Sequence, residues 1–153
     1  MSLDQFDSDF TPYLPGRTPG LDSLADGEGI YEIVDCDLFV TKGTGDTVFK
    51  MGVKVLSGPS QGHVAETVRV LRGSDDARRL GSDLLALGFD CQNWTVANGK
   101  PFSKMLPEAI KVMAGITFKG AKVSGEGRTG NRWHALNIYG RTTEKTVPAD
   151  PFA

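Results

Sequence analysis

The stretch IYEIVDCDLFVTKGTGDTVFKMGVKVLSGPSQGHVAETVRVL, Ile30–Leu71, decides the fold. Apolar residues recur at every second place in three successive segments, Ile30–Thr41, Thr47–Leu56 and His63–Leu71. That is the period at which a strand presents one face. In the first segment Val34, Cys36, Leu38 and Val40 fall on one side, and Asp35, Asp37 and Phe39 on the other. In the second, Phe49, Met51, Val53 and Val55 share a side, while Lys50, Gly52 and Lys54 face away. In the third, Val64, Val68 and Val70 match, with Arg69 opposite. Lys42-Gly43-Thr44-Gly45-Asp46 suits a hairpin loop and Ser57–Gly62 a Gly-Pro turn. The pattern predicts an antiparallel meander with one buried face and one wet, basic face.

Beyond the meander, Gly73, Ser74, Asp75 and Asp76 form a helix start, Ala77, Leu80, Leu84 and Leu87 keep helical spacing, and Gly88 suits the stop. Leu106, Ala109, Ile110 and Met113 make a second apolar stripe, which Pro107 is expected to break or restart. Trp94, in the loop between, reads as a packing anchor. Ile116–Val123 and Arg132–Arg141 alternate again, with a bulge expected at Gly120 and a Gly-rich hairpin loop from Ser124 to Asn131. A small sheet with one apolar face must close or be covered. The expected fold is all-β with inserted helices: a five-stranded OB-fold barrel with the helical segment between strands 3 and 4. It occupies residues 25–142, between an acidic Pro/Gly-rich N-terminal arm, 1–24, and a flexible tail, 143–153.

The chain of 153 residues carries no long apolar run and does not open like a signal peptide, so a cytoplasmic location and no membrane partner are expected. Cys36 and Cys91 then read as reduced thiols, Cys36 as a small buried hydrophobe. Two Cys and two His at 36, 91, 63 and 134 lack metal-ligand spacing, so no metal and no cofactor are expected. There is no Gly-rich phosphate loop with its Lys-Ser/Thr, no nucleophile elbow and no His-x-Glu with paired cysteines. The chain is therefore not read as an enzyme.

Net charge is only −2, but its distribution is uneven. Residues 1–29 hold six acids and one base, and residues 111–145 hold seven bases and two acids. The second segment suits a polyanion, and the acidic arm suits a competitor for the same surface. Alternation places Phe39, Lys50, Gly52, Lys54, Arg69, Lys119, Trp133, Tyr139 and Arg141 on the outward side, cations interleaved with rings. Lys42 and Arg128 sit in the loops, and Lys122 and Arg132 complete the basic strand region. Single-stranded nucleic acid needs this combination, cations along its phosphates and flat rings under its unpaired bases. Gly52 would let the ligand approach the sheet. The other reading is a non-catalytic protein-interaction or virion-associated β-barrel whose face docks another protein.

Two runs carry a family resemblance. Leu24-Ala25-Asp26-Gly27-Glu28-Gly29-Ile30-Tyr31-Glu32-Ile33-Val34-Asp35-Cys36 resembles the opening of a family of small bacteriophage single-stranded-DNA-binding proteins. Lys50 to Gly62 is similar to that family's second strand and Gly-Pro turn, and Asn131 to Gly140 fits its closing strand. The resemblance spans about residues 24–141. It implies an OB-fold that coats single-stranded DNA during phage replication or recombination, with phage replication or recombination proteins as further partners. Homo-oligomerisation is left open.

Overall fold

The computed structural model describes residues 19–143. The Asp4–Asp9 acid cluster of the arm and the Asp150-Pro151-Phe152 tip of the tail lie outside the described residues. Strands β1 (Gly27–Val40), β2 (Thr47–Ser57) and β3 (Val64–Leu71) come first, helices α1 (Ser74–Ala86) and α2 (Phe102–Ile110) follow, and β4 (Thr117–Glu126) and β5 (Arg132–Arg141) complete the order. All pairings are antiparallel, and the strands form one sheet ordered β3-β2-β1-β4-β5.

Edge strands β3 and β5 share no ladder, so the sheet is open and strand pairing does not close the expected barrel. The gap between the edges is covered instead. Helix α1 packs against both β3 and β5, and a short 3₁₀ turn, Leu21–Ser23, does the same farther along. The Glu66 N–H donates to the Pro19 carbonyl at 2.8 Å, and Gly20 bridges Glu66 in parallel. Leu21 and Leu24 are buried. The last residues of the expected arm therefore belong to the packed body.

The core lies between the sheet's inner face and the helices. Tyr31, Ile33, Met51, Val53 and Phe118 meet Leu80, Leu84 and Leu87, the buried stripe of α1. Each fully buried Leu contributes about 1.5–3 kcal/mol. Asp76, in the first turn of α1, accepts the N–H of Arg72 just before the helix at 3.0 Å, and Gly88, at φ +95°, turns the chain out. Pro107 does not break α2 but lies within it, on its exposed side, while Leu106 and Ala109 anchor the other side in the core. Trp94 packs on the core and lies 6.3 Å from the Phe102 ring.

Two strands differ from the alternation read in the sequence. In β1 the register runs Ile33 opposite Val53 and then Asp35 opposite Gly52, so Val34 is the extra residue of a β-bulge. The bulge exposes Val34 and resets the parity so that Ile33, Cys36 and Leu38 all reach the core. In β3 the parity is inverted. Ala65, Thr67 and Arg69 lie opposite Val53, Met51 and Phe49, and directly opposed residues share a face. Val64 and Val68 are exposed. The valines lose to the smaller Ala65, which is completely buried, because the meander register is fixed by β2.

Candidate nucleic-acid interface

The outer face of β1, β2 and β3 is built in rows set by the register. Glu32, Lys54 and Val64 form one, Asp35, Gly52 and Glu66 the next, then Asp37, Lys50 and Val68, then Phe39, Val48 and Val70. Lys50 pairs with Glu66 at 3.7 Å. Four carboxylates thus surround two lysines, and the wet face of the meander is not basic. The sequence reading counted the lysines on one strand, while the acids come from its two neighbours. The space above Gly52 is also taken: the Asp35 carboxylate lies over it and accepts its N–H at 3.1 Å. Arg69 is not outward either. It faces inward and binds Asp83 of α1 at 2.9 Å, a consequence of the inverted β3 parity. Asp83 is buried enough that desolvation raises its carboxyl above the usual range, with Arg69 opposing.

The β4–β5 hairpin is different. Its outer side carries Lys119, Ala121, Val123 and Gly125 opposite Gly140, Asn137, Ala135 and Trp133. The Trp133 indole lies on the bare backbone of Gly125, where a Cβ would collide with the ring. Trp133 remains 49% exposed. Tyr139, 57% exposed, is the extra residue of a bulge opposite the Lys119–Gly120 step, a device that re-aims a side chain. Arg128 lies in the exposed β4–β5 loop and Arg132 begins β5. Arg141, opposite Phe118, extends toward Gly88 at the end of α1. Lys42, in the β1–β2 loop, lies beyond the opposite end of β1 from Arg128, because β4 runs antiparallel to β1.

Lys122 is taken out of the interface. Its side chain is 3% exposed, and its ammonium donates to Asp26 at 2.7 Å. Ser124 donates to the same carboxylate at 2.6 Å, and Arg132 donates to Ser124 at 3.0 Å. The hydrogen bonds from Lys122 and Ser124 hold the Asp26 carboxyl below its ordinary range. Such a group stabilises the fold above its unfolded pKa, and the contribution is lost as pH falls through the lower folded value. Asp26→Asn is therefore expected to melt earlier than the parent at neutral pH. The gap in melting temperature should close as the pH drops through the acid range. A gap independent of pH would show that the carboxylate's charge is not what holds Lys122.

Of the twelve residues read as contacts, the hairpin carries Lys119, Arg128, Arg132, Trp133 and Tyr139, with Arg128 and Trp133 at its loop end, Lys119 and Tyr139 at the other, and Arg132 turned to the groove side. Phe39, Lys50 and Lys54 share the acid-rich outer face of the meander, and Lys42 and Arg141 stand at the periphery. Asp26, Asp35, Gly125 and His134 were missed, since their roles arise from contacts with distant parts of the chain. The opposition of Gly125 to Trp133 across a Gly-rich hairpin loop was the one available signal. Neither thiol is poised for nucleophilic work: burial and the neighbouring Asp35 push Cys36 up to about 12, and burial raises Cys91. Among the described residues no helix is long and apolar enough to cross a membrane. No protein-family model, curated protein or solved structure matches the chain.

Proposed function

We propose that the chain binds single-stranded DNA without sequence preference and without catalysis, along the β4–β5 hairpin. The observation that carries this is Trp133, seated against Gly125 and half exposed, on a hairpin that also carries Arg128, Arg132, Lys119 and Tyr139. An unpaired base stacked on such a ring gains roughly 1–3 kcal/mol, and the cations attract phosphates whatever the sequence. The acid-rich outer face of the meander repels a polyanion, so the backbone path keeps to the hairpin side. The strand order is the one an OB-fold would have if opened along its β3–β5 seam, a partly open five-stranded barrel that commonly takes oligonucleotides. The resemblance of Leu24–Cys36 to phage single-stranded-DNA-binding proteins adds to this reading and favours a role in phage replication or recombination, in the host cytoplasm.

A second reading, a protein-docking module, draws on the meander face, where exposed Phe39 and Val68 interleave with charges of both signs. One titration separates them. Fluorescence-monitored binding of oligo(dT) is expected to weaken with salt, with a log–log slope of roughly −0.7 per phosphate neutralised, and to exceed binding to duplex. A slope of zero, or equal affinity for duplex and single strand, would sink the DNA reading.

A further inference from the structure

The seam between β3 and β5 holds a cavity of about 270 Å³. Its base is apolar, with Phe49, Met51, Leu80 and Leu84 among the lining side chains, and its rim carries Thr67, Arg69, Asp83 and His134. The groove continues past Thr67 and His134 to Arg132 and the Leu21–Ser23 turn. At roughly 30 Å³ of liquid volume per water, the cavity holds on the order of nine waters' worth of space. It lies just below the pockets of about 300–1,000 Å³ that take drug-sized ligands. That size suits one planar heterocycle.

Two features of the rim say what kind. Nδ1 of His134 is buried and has no hydrogen-bond partner among the described residues, a costly state for a ring nitrogen that a turn of the ring toward a ligand in the groove would relieve. Arg69 and Asp83 meet through one bond, Nη2 to Oδ2 at 2.9 Å. The guanidinium keeps further N–H donors and the carboxylate a second acceptor oxygen. A donor and an acceptor thus stand side by side above an apolar base. A ring N–H flanked by a carbonyl is the complementary edge, and thymine and guanine carry it. Cytosine and adenine present a bare ring nitrogen there instead.

We infer that the β3–β5 seam receives one unpaired base of the bound strand, of the thymine or guanine type, at Arg69, Asp83 and His134. This rests on the single-stranded-DNA reading and gives that site a base pocket. The route is short. Trp133 sits on the outer face of edge strand β5, while its neighbours Arg132 and His134 line the groove. A strand stacked on Trp133 needs to advance by only one nucleotide for the next base to turn over the edge into the seam, as bases do when they leave a stack for a pocket.

The test uses the full chain with oligo(dT), oligo(dA), an abasic oligomer of equal length, and thymidine alone. The imidazole resonances of His134, told from those of His63 with His63→Gln, are expected to move with oligo(dT) and stay still with the abasic oligomer. His134→Phe, which exchanges the orphaned nitrogen for an apolar ring, is expected to bind oligo(dT) roughly tenfold more weakly and oligo(dA) as before. If that variant does not fold, the resonances of the parent protein still decide. Salt-sensitive binding of oligo(dT) with unmoved His134 resonances overturns the pocket and leaves the DNA reading standing. No binding to any oligomer overturns both. A shift with thymidine and none with oligo(dT) assigns the seam to a free nucleoside and overturns the strand-borne base.

Discussion

Trp133→Ala is expected to weaken oligo(dT) binding by about 1–3 kcal/mol, roughly five- to 150-fold, with little change in melting temperature. The indole is half exposed, so its removal opens no cavity in the core. What it removes is the platform on which a base would stack. Gly125→Ala tests the same geometry without touching the ring's chemistry. The new methyl would collide with the indole, and the ring must swing off the hairpin to make room. Gly125 has an ordinary backbone conformation, absent from the positive-φ glycines, so the substitution perturbs the ring's seat and not the chain's path. Both variants should lose affinity by a similar factor. If Trp133→Ala bound as tightly as the parent, the aromatic platform would not be the site. If Gly125→Ala alone bound normally, the ring would stack in some other pose.

Much of the sheet is legible in the sequence because period-2 alternation is strong in β2, β4 and β5. Phe49, Met51, Val53 and Val55 were placed on the buried side, and all are. The failures have one physical cause. Alternation along a strand gives parity within that strand, but which parity faces the core depends on register with its neighbours. The bulge at Val34 resets β1, and nothing in Ile33-Val34-Asp35 marks it. In β3, three valines outvote Ala65 by hydrophobicity, but the register with β2 puts Ala65, Thr67 and Arg69 inside. The inverted parity moves Arg69 from the proposed contact face to a bond with Asp83. The same limit explains the charge of the meander face. Lys50 and Lys54 are visible along β2, whereas Glu32, Asp37 and Glu66 join them only through cross-strand pairing.

The hairpin fared better because its evidence is local. Trp133 and Arg132 are adjacent, and the Gly-rich loop before them signals the tight reversal that brings Gly125 opposite the ring. Lys122 is the exception: its surroundings come from Asp26, 96 residues away in sequence. Its loss from the interface removes one cation, yet the pairing fixes Asp26 and Ser124 and so steadies Arg132. Only the Lys122 end of this pair is buried, and the Asp26 carboxylate is half exposed.

Phe118→Ala is expected to cost about 3–5 kcal/mol, the range for deleting a fully buried aromatic ring. Phe118 is completely inaccessible, and its ring stacks on Tyr31 with centroids 5.4 Å apart and planes at 16°. The stack stands where it matters most for the sheet. The β1–β4 ladder runs from Gly27 opposite Lys122 to Glu32 opposite Thr117, backbone bonds of Ile33 with Ile116 and Gly115 extend it, and it joins the meander to the β4–β5 hairpin. Domains are stable by only about 5–15 kcal/mol, so the loss takes up a large part of the total. In urea the midpoint should fall with the slope unchanged, since the surface exposed on unfolding stays nearly the same. Phe118→Leu should lose less, because most of the buried carbon remains. Protein that stays folded should bind oligo(dT) with near-parent affinity, since Phe118 faces away from Trp133. The two variants therefore separate the properties they probe, Trp133→Ala lowering affinity and Phe118→Ala lowering stability. A cost under about 1 kcal/mol for Phe118→Ala would mean the β1–β4 joint is not held by this ring.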